Sequence, residues 1–421
     1  MPMRFPEGFR WGTATSAYQV EGNNTASDWW QWEQAPGRIR GGDRSGLACD
    51  WWRHAERDFD LMTTIHQNAA RLSVEWSRLE PQPGRWDEAA EARYREMLGS
   101  LRQRGIEPLV TLNHFTLPQW VADRGGWLWD GIAPAFAAFA SRFVRSAAPL
   151  ADFWITVNEP VGYLISAYLQ GRFPPGRTNP LAFWRALRES VRAHAAAYHA
   201  IHDAQPAARV GVAAYLRPVQ PADPRLPLDR ALASRLDYTL NWMYLDALRS
   251  GRLVGLGGLR FNVPEAAGTL DFLGVNYYTR TRVAFDLRRP RSFFVRADRP
   301  YDAEMSDADY SEVYPDGLLT VLRAARRYGL PVYVTENGLP DSDDDLRPRF
   351  ITDHLLRVAQ AISEGTPVRG YYHWSLVDNF EWADGWSLRF GLYALDPLAQ
   401  VRTRRPSAAY YGEICRQNAL P

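Results

Sequence analysis

The sequence predicts an α/β fold, a single (β/α)₈ (TIM) barrel with long βα loops, formed as one domain by residues 1–421. Eight short segments rich in β-branched and aromatic residues recur along the chain, and helical patterns separate them. No break in composition marks a second domain. Strands that alternate with helices form βαβ units and a parallel sheet, and eight such units close a barrel.

The predicted strands are bounded by turn or loop signals. A doubly wound open sheet is the alternative fold, but it favours a glycine-rich first turn, and no G-x-G-x-x-G follows any of the strands. The eight segments are Phe9–Tyr18, Ala69–Trp76, Pro108–Phe115, Phe153–Glu159, Arg209–Tyr215, Asp271–Tyr278, Pro331–Glu336 and Gly370–Trp374.

The clearest helical pattern is Asp87–Arg104, where Asp87 is a predicted N-cap and Gly105 a stop signal. Each predicted helix follows a strand, as a crossover connection requires. The other predicted helices are Pro134–Ser146, Leu181–Asp203, Asp229–Arg249, Asp316–Tyr328 and Ile351–Glu364.

The charge composition excludes several classes of function. The net charge is +1, from 49 basic and 48 acidic residues, so we expect neither nucleic acid nor an anionic membrane as a partner. Every basic residue is an arginine. Schiff-base catalysis and a Walker A phosphate loop both require a lysine, so the sequence excludes both.

The cysteine content and the N-terminal sequence favour a cytoplasmic protein. Two cysteines far apart, Cys49 and Cys415, are typical of thiols in a reducing compartment. The first ten residues lack the apolar core of a secretory signal, and no uninterrupted apolar stretch is long enough to span a bilayer.

Polar residues stand at the carboxyl end of most predicted strands, where an α/β barrel carries its catalytic groups. We expect their side chains to converge on one cavity. For Glu75, the alternative to a role in this cavity is a structural role as a salt-bridge partner. In strand order the residues are Gln19 and Glu21; Arg71 and Glu75; Asn113 and His114; Asn158 and Glu159; Asn276, Tyr277 and Tyr278; Glu336 and Asn337; and His373 and Trp374.

These residue types point to one reaction class. Neither G-x-S-x-G nor H-E-x-x-H occurs, so serine hydrolases and zinc peptidases lack their signatures. Two strand-end glutamates, Glu159 and Glu336, suit glycoside hydrolysis. The acidic run Asp341–Asp345 is interpreted as a solvated loop, with a calcium site as the alternative.

The chain resembles glycoside hydrolase family 1, the β-glucosidase and β-galactosidase family, over nearly its full length. A run of motifs in the family's order carries this resemblance. They are FRWGTATSAYQVEG (9–22), RLSVEWSR (71–78), TVNEP (156–160), NYY (276–278), VTENG (334–338), YHWSL (372–376), DNFEW (378–382) and RFG (389–391). Phe115 follows His114 where many members carry Trp, which leaves one wall of the sugar site less defined.

The resemblance implies a role for each matching residue. Glu159 would be the general acid/base and Glu336 the nucleophile, with Arg71, Tyr278 and Asn276 supporting it. We expect the Arg71 guanidinium to favour ionised Glu336, and a neighbouring carboxylate to raise the pKa of Glu159. Trp374 would stack beneath the sugar. The peptide bond that follows it, Trp374–Ser375, would be cis. The other predicted sugar-binding residues are Gln19, His114, Asn158, Tyr278, Glu381, Trp382 and Phe390.

The function so implied is a retaining β-glycosidase, a β-glucosidase acting on unphosphorylated β-D-glucosides and also on β-galactosides and β-fucosides. We expect a small glycoside or oligosaccharide as the substrate, and no metal or organic cofactor. The sequence leaves open a site acting mainly as a transglycosidase, or a non-catalytic sugar-binding barrel. It does not indicate the oligomeric state.

Overall fold

The computed structural model describes residues 3–255 and 258–420, and its centre is a closed barrel of eight parallel strands. Each strand pairs with its neighbours in chain order, and the last pairs with the first. The predicted (β/α)₈ fold is therefore confirmed, and the open doubly wound sheet is excluded because this sheet closes on itself. The strands are β1 (Arg10–Ala14), β2 (Ala69–Ser73), β3 (Glu107–Asn113), β4 (Phe153–Asn158), β5 (Arg209–Tyr215), β6 (Phe272–Tyr277), β7 (Val332–Asn337) and β8 (Val368–Trp374).

The strand predictions differ from the structure mainly at strand ends. β5 has the predicted bounds, whereas the first predicted strand, Phe9–Tyr18, is too long. β1 stops at Ala14, and Ala17–Val20 forms a short helix whose four residues are all buried. A fully buried helical turn has no polar face, so its residues cannot be distinguished from a strand by periodicity.

Eight helices or helical segments follow the strands around the barrel. The Asp87 side chain caps α2, accepting bonds from the N–H groups of Ala89 (3.0 Å) and Ala90 (2.9 Å), as predicted. The predicted helix Asp229–Arg249 is interrupted by a π-helical turn, Tyr238–Trp242. The helices are α1 (Trp51–Thr64), α2 (Glu88–Gln103), α3 (Ile132–Ala147), α4 (Pro180–Ala204), α5 (Met243–Ser250, preceded by Pro227–Asp237), α6 (Pro315–Ala325), α7 (Arg347–Ser363) and α8 (Pro406–Gln417).

The sequence analysis missed α1 and α8. α1 begins after Asp50, a residue type that often caps helices, although here it has a left-handed backbone (φ 57°) and its side chain makes no capping bond. α8 begins with Pro406 at its first turn, a start signal that the sequence did contain.

Shorter elements lie in the loops and at the termini. Met3–Arg4 pairs with Ala419–Leu420, which joins the two ends of the described chain. The other strands are Val219–Pro221, Thr281–Phe285 and Val295–Asp298 in one sheet, the pair Arg252–Val254 and Arg260–Asn262, and the pair Tyr393–Asp396 and Val401–Arg404. The other short α-helices are Asp28–Gln34, Trp76–Leu79, Gln119–Asp123 and Pro160–Tyr168, and the 3₁₀ turns are Arg40–Gly42, Gly126–Leu128, Pro264–Ala266, Pro290–Ser292, Asp307–Asp309, Arg326–Tyr328 and Trp382–Asp384.

Apolar side chains fill the barrel interior below the carboxyl ends of the strands. Phe153, Phe272 and Tyr333 form edge-to-face pairs there, with ring centroids 4.6–5.6 Å apart. This packing fills the interior, and in this fold the site lies at the carboxyl end of the strands. Among the described helices, none is both long and apolar enough to cross a membrane.

Candidate active site

A cavity of about 350 Å³ opens at the carboxyl ends of the barrel strands. Both glutamates singled out from the sequence line it, and with them six other predicted site residues. These eight are His114, Asn158, Glu159, Tyr278, Glu336, Trp374, Glu381 and Trp382. Predicted residues from distant parts of the chain therefore converge at one place.

Glu336, near the end of β7, is held through both carboxylate oxygens. Arg71 Nη1 donates to Oε1 (2.5 Å), and the Tyr278 hydroxyl donates to Oε2 (2.7 Å). Burial raises the pKa of Glu336, and the charge of Arg71 and these hydrogen bonds oppose that rise. The guanidinium and the hydrogen bonds thus favour the carboxylate, against the effect of burial.

Arg71, on β2, is fully buried and links three strands. Its Nη2 donates to Asn158 Oδ1 (2.6 Å), its Nη1 to the Thr335 carbonyl (3.2 Å) and its Nε to the Thr111 hydroxyl (3.2 Å). Since a planar guanidinium presents its donors in a fixed fork, these contacts hold β3, β4 and β7 at one relative position.

Glu159 follows β4 and precedes the helix Pro160–Tyr168, with a left-handed backbone (φ 44°) that is uncommon for a residue other than glycine. Its N–H donates to the Ala213 carbonyl (2.7 Å), and Asn276 Nδ2 donates to its Oε1 (2.8 Å). Burial and then the charge of Glu336 raise the pKa of Glu159. The protonated acid is thereby favoured at this position.

His114 is neutral and its tautomer follows from its neighbours. Asn158 Oδ1 accepts from Arg71, so Asn158 Nδ2 must be the group that donates to His114 Nε2 (3.0 Å). Burial and the charge of Arg71 lower the pKa of His114 well below its usual range. The proton therefore lies on Nδ1, which is buried and has no hydrogen-bond partner among the described residues.

Gln19 and Glu381 form a hydrogen-bonded pair on one wall, although Gln19 itself lies just behind the cavity lining. Gln19 Nε2 donates to Glu381 Oε2 (3.1 Å) and to Asn379 Oδ1 (2.8 Å). Burial, followed by the charge of Asp384, raises the pKa of Glu381 to about 8. This wall offers both acceptors and donors to hydroxyl groups.

Aromatic rings form the rest of the wall. The His114 ring stacks on Trp374 (centroids 6.0 Å apart) and on Trp382 (6.0 Å), and the Trp374–Ser375 peptide is cis, as the resemblance implies. Phe115 packs against Trp382 at 4.9 Å and lines the cavity, which defines the wall that the sequence left uncertain.

Three further predicted residues lie behind the lining: Arg71, Asn276 and Phe390. Asn276 Oδ1 accepts from the Thr335 hydroxyl (2.7 Å), which fixes its amide toward Glu159. Phe390 packs edge-on against Tyr278, with ring centroids 6.2 Å apart. Their contacts position residues that line the cavity.

The other strand-end residues have contacts outside the cavity. Tyr277 donates its hydroxyl to the Tyr314 carbonyl, and Asn113 donates to the Thr116 carbonyl (2.8 Å). Glu75 is buried, and it accepts from the hydroxyls of Ser77 (3.0 Å) and Thr116 (3.0 Å). No ion pair of Glu75 occurs within 3–255 and 258–420, so the structure does not support the salt-bridge alternative.

Several lining residues were missed by the sequence analysis. The clearest are Tyr215, at the end of β5, and Arg217 two residues later. Tyr215 is the last residue of the fifth predicted strand, so its position at the strand end was the signal that could have identified it. The other missed lining residues are Gly162, Tyr163, Ile165, Ser166, Gln170, Arg172, Phe173, Thr279, Tyr310, Ser311 and Asp384.

One group of acidic residues in the described chain has the spacing of metal ligands. One carboxylate oxygen from each of Asp341, Asp343 and Asp345 lies within 4.8 Å of the others, outside the cavity. Exposed carboxylates often cluster without binding an ion, and Asp343 and Asp345 are both exposed. Asp341 and Asp344 are buried, so the solvated loop interpreted from the sequence holds for Asp343 and Asp345 and not for the whole run.

Comparisons with known proteins agree on one family. The family profile described as Glycosyl hydrolase family 1 matches residues 1–420. A β-galactosidase from Pyrococcus woesei is 32% identical, over 99% of this chain and 98% of that protein. A solved β-glycosidase from Pyrococcus horikoshii has a TM-score of 0.94 at 38% identity, over 100% of this chain and 97% of that one. A β-glucosidase from Thermotoga maritima, solved with glucoimidazole, has a TM-score of 0.94 at 30% identity, over 99% and 100% of the two chains.

Proposed function

The chain belongs to glycosyl hydrolase family 1, and from that membership we propose a retaining β-glucosidase that cleaves unphosphorylated β-D-glucosides. β-Galactosides and β-fucosides are its secondary substrates. The similarity to proteins named β-glucosidase and β-galactosidase supports this range. The relatives are named as enzymes, which gives no support to a non-catalytic sugar-binding barrel.

The observation that carries the proposal is the unequal environment of the two glutamates. Glu336 faces a guanidinium and a phenol, which stabilise its charge. Among the described residues, the carboxyl group of Glu159 accepts a hydrogen bond from the Asn276 amide alone, and it lies beside the negative charge of Glu336. When two carboxyl groups have different environments, their pKa values differ. The group that is more easily ionised can then act as the nucleophile, and the group that keeps its proton can act as the acid.

In the first step, a carboxylate oxygen of Glu336 attacks the anomeric carbon. The bond from that carbon to the glycosidic oxygen breaks as Glu159 transfers its proton to the departing oxygen. The aglycone leaves as an alcohol, and the sugar stays bound to Glu336 as an ester. Hydrogen bonds from Asn158 to the sugar's 2-hydroxyl strengthen in the transition state.

In the second step, Glu159 acts as a base. Formation of the ester removes the charge of Glu336, so one cause of the raised pKa of Glu159 is lost and the ionised form becomes more favourable. Glu159 takes a proton from water, whose oxygen attacks the anomeric carbon and releases Glu336. Two inversions at the same carbon retain the β configuration.

The preference for an unphosphorylated sugar rests on Glu381. Its carboxyl group lines the cavity beside Gln19, and the chain contains no lysine to bind a phosphate there. With a pKa raised to about 8, this carboxyl group can donate and accept hydrogen bonds with sugar hydroxyls, and it offers no positive charge to a phosphate. We also propose a cytoplasmic location, which two buried, unpaired cysteines, Cys49 and Cys415, support.

Covalent labelling tests the proposed mechanism. A 2-deoxy-2-fluoro-β-glucoside with an activated leaving group should inactivate the enzyme and leave a fluoroglucosyl ester on Glu336, found by mass spectrometry of the peptide that contains it. Prior saturation with a competitive inhibitor should slow the labelling. A label on Glu159, or turnover with no trapped ester at any concentration, would contradict the assignment.

A further inference from the structure

Arg217 is a charged residue of the cavity that the proposed mechanism does not use. It lies two residues after the end of β5, lines the same cavity as Glu159 and is half-buried. The carbon at the centre of its guanidinium is 4.9 Å from the centroid of the Tyr215 ring. That ring and Glu159 are neighbours, since a β-carbon placed on Gly162 would be 3.7 Å from Tyr215 Cδ1 and 3.7 Å from Glu159 Oε2.

The backbone of Arg217 is fixed by a pair of hydrogen bonds. Its N–H donates to Asn241 Oδ1 (2.9 Å), and its carbonyl accepts from Asn241 Nδ2 (2.7 Å). Asn241 lies in the π-helical turn Tyr238–Trp242, and its Nδ2 also donates to Asp237 (2.8 Å). The backbone that carries the guanidinium is therefore held in place by defined contacts.

The charge of Arg217 has no protein counter-ion. Across residues 3–255 and 258–420, no carboxylate lies within ion-pair distance of its guanidinium, although many of the chain's arginines have such a partner. Arg172 lines the same cavity, but it pairs with Asp384 (3.5 Å), which also pairs with Arg40 (3.1 Å). Asp384 is thus occupied by two arginines, and Arg217 is the arginine of the cavity lining that has no described carboxylate within ion-pair distance.

Arg217 acts on the side of the cavity that receives the leaving group. The charges of Arg71 and then of Arg217 oppose the rise in the pKa of Glu159, and of these two arginines it is Arg71 that contacts Glu336. The acid must touch the glycosidic oxygen, so a residue beside it faces the aglycone. The sugar-binding wall formed by Gln19 and Glu381 is built from other segments of the chain.

We propose that Arg217 forms an anion-binding subsite for the aglycone, and that the preferred substrates are β-glycosides whose aglycone bears a carboxylate. This inference rests on the proposed function and adds the substrate class to it. The charge of a half-buried guanidinium without a counter-ion is poorly compensated. A carboxylate can neutralise that charge and accept two parallel hydrogen bonds from the planar guanidinium. Such an anion would remain bound through bond cleavage, so the preference is expected in kcat/KM.

Two aryl β-glucosides of nearly equal shape test the subsite: the 4-carboxyphenyl and the 4-carbamoylphenyl glucoside, with the 3-substituted pair measured alongside. The readout is the ratio of kcat/KM, carboxylate over carboxamide, within each enzyme form. A comparison of ratios between wild type and Arg217→Gln cancels the leaving-group difference of the two substrates and any general loss of activity. We expect the ratio to fall about tenfold in Arg217→Gln for at least one pair, and the wild-type ratio to fall with added salt.

Arg225→Gln is the matched control. Arg225 lies in the same loop after β5, is 88% exposed and pairs with Asp223 (2.8 Å), so its loss removes the same charge outside the cavity. Its ratio should equal that of the wild type. A tenfold fall in this control as well would show a long-range charge effect and would overturn the subsite.

Two other outcomes separate the subsite from the function on which it rests. In the first, wild type hydrolyses the carboxamide substrate, and Arg217→Gln has the same kcat/KM ratio as wild type but an alkaline limb shifted to higher pH. Arg217 would then act through Glu159 alone, and the proposed subsite would be wrong. If wild type hydrolyses no aryl β-glucoside, charged or neutral, the proposed function fails and the subsite with it.

Discussion

Arg71 and Glu336 form a buried ion pair, with 2.5 Å between Arg71 Nη1 and Glu336 Oε1 and with side chains that are 0% and 4% exposed. The same guanidinium also donates to Asn158, which in turn contacts His114. One arginine thus joins the proposed nucleophile to the side chains expected to bind the sugar. Because such a pair is shielded from solvent, loss of either partner leaves an uncompensated charge.

Arg71→Met should therefore move the acidic limb of the kcat/KM pH profile to higher pH. The Arg71 charge lowers the pKa of Glu336 against the effect of burial, so without it a higher pH is needed to ionise the nucleophile. The substitution should also destabilise the fold, by about 3–5 kcal/mol where Glu336 stays ionised. Arg71→Lys keeps the positive charge but loses the contact to Asn158. Its acidic limb should therefore lie between those of wild type and Arg71→Met. An acidic limb that stays in place in Arg71→Met would contradict this account.

Glu159→Ala and Glu336→Ala should fail at different steps. Loss of acid catalysis costs about 10²–10⁴-fold, but a dinitrophenyl glucoside needs little proton donation, so Glu159→Ala should form the glycosyl ester quickly and then stall. Azide should restore turnover and yield the β-glucosyl azide, because this anion needs no general base.

Glu336→Ala should be inactive on the same substrates. Azide rescue of this variant should yield the α-azide, since it proceeds by a single inversion. Nuclear magnetic resonance of the anomeric proton distinguishes the two products. An α-azide from Glu159→Ala would require the two roles to be exchanged.

A 6-phosphate on the sugar should abolish most of the activity. The carboxyl group of Glu381 lines the cavity, and the chain has no lysine to receive the phosphate. Initial rates on an aryl β-glucoside and on its 6-phosphate, measured at equal concentration, test this expectation. Faster turnover of the phosphorylated substrate would overturn the assigned specificity.

Glu75→Gln should stabilise the protein at alkaline pH. Burial, followed by the charge of Glu21, raises the pKa of Glu75 to about 8, so the folded state keeps a proton that the unfolded state loses above its ordinary pKa. Stability should consequently fall as the pH rises from about 4.5 to about 8. The glutamine has no charge to desolvate and still accepts a hydrogen bond, so its gain at pH 8 should be roughly 2–4 kcal/mol.

Denaturant unfolding at pH 5 and at pH 8 measures this effect. The exposed residue Glu7 offers a control, because Glu7→Gln removes a charge without removing a buried carboxyl group. Its free energy of unfolding should change little at either pH. An equal gain for Glu75→Gln at both pH values would show that packing, and not ionisation, is responsible.

The sequence by itself determined the barrel and the principal groups of the site. Alternating strand and helix patterns predict a parallel barrel, and parallel strands bring their carboxyl ends to one face, so Glu159 and Glu336 converge without any knowledge of contacts. Fully buried turns such as Ala17–Val20 escaped the same reasoning, because a segment covered on every side has no polar face to reveal its period.

Only the tertiary structure decided what surrounds each group. The Gln19–Asn379 contact joins residues 360 positions apart, and the tautomer of His114 depends on Asn158 and, through it, on Arg71. Arg217 is one of 49 basic residues in the sequence, and nothing local distinguishes it from a paired surface arginine. Its lack of a counter-ion depends on where every other described carboxylate lies. Electrostatic energy depends on distance in space and on burial, and neither can be read from position along the chain.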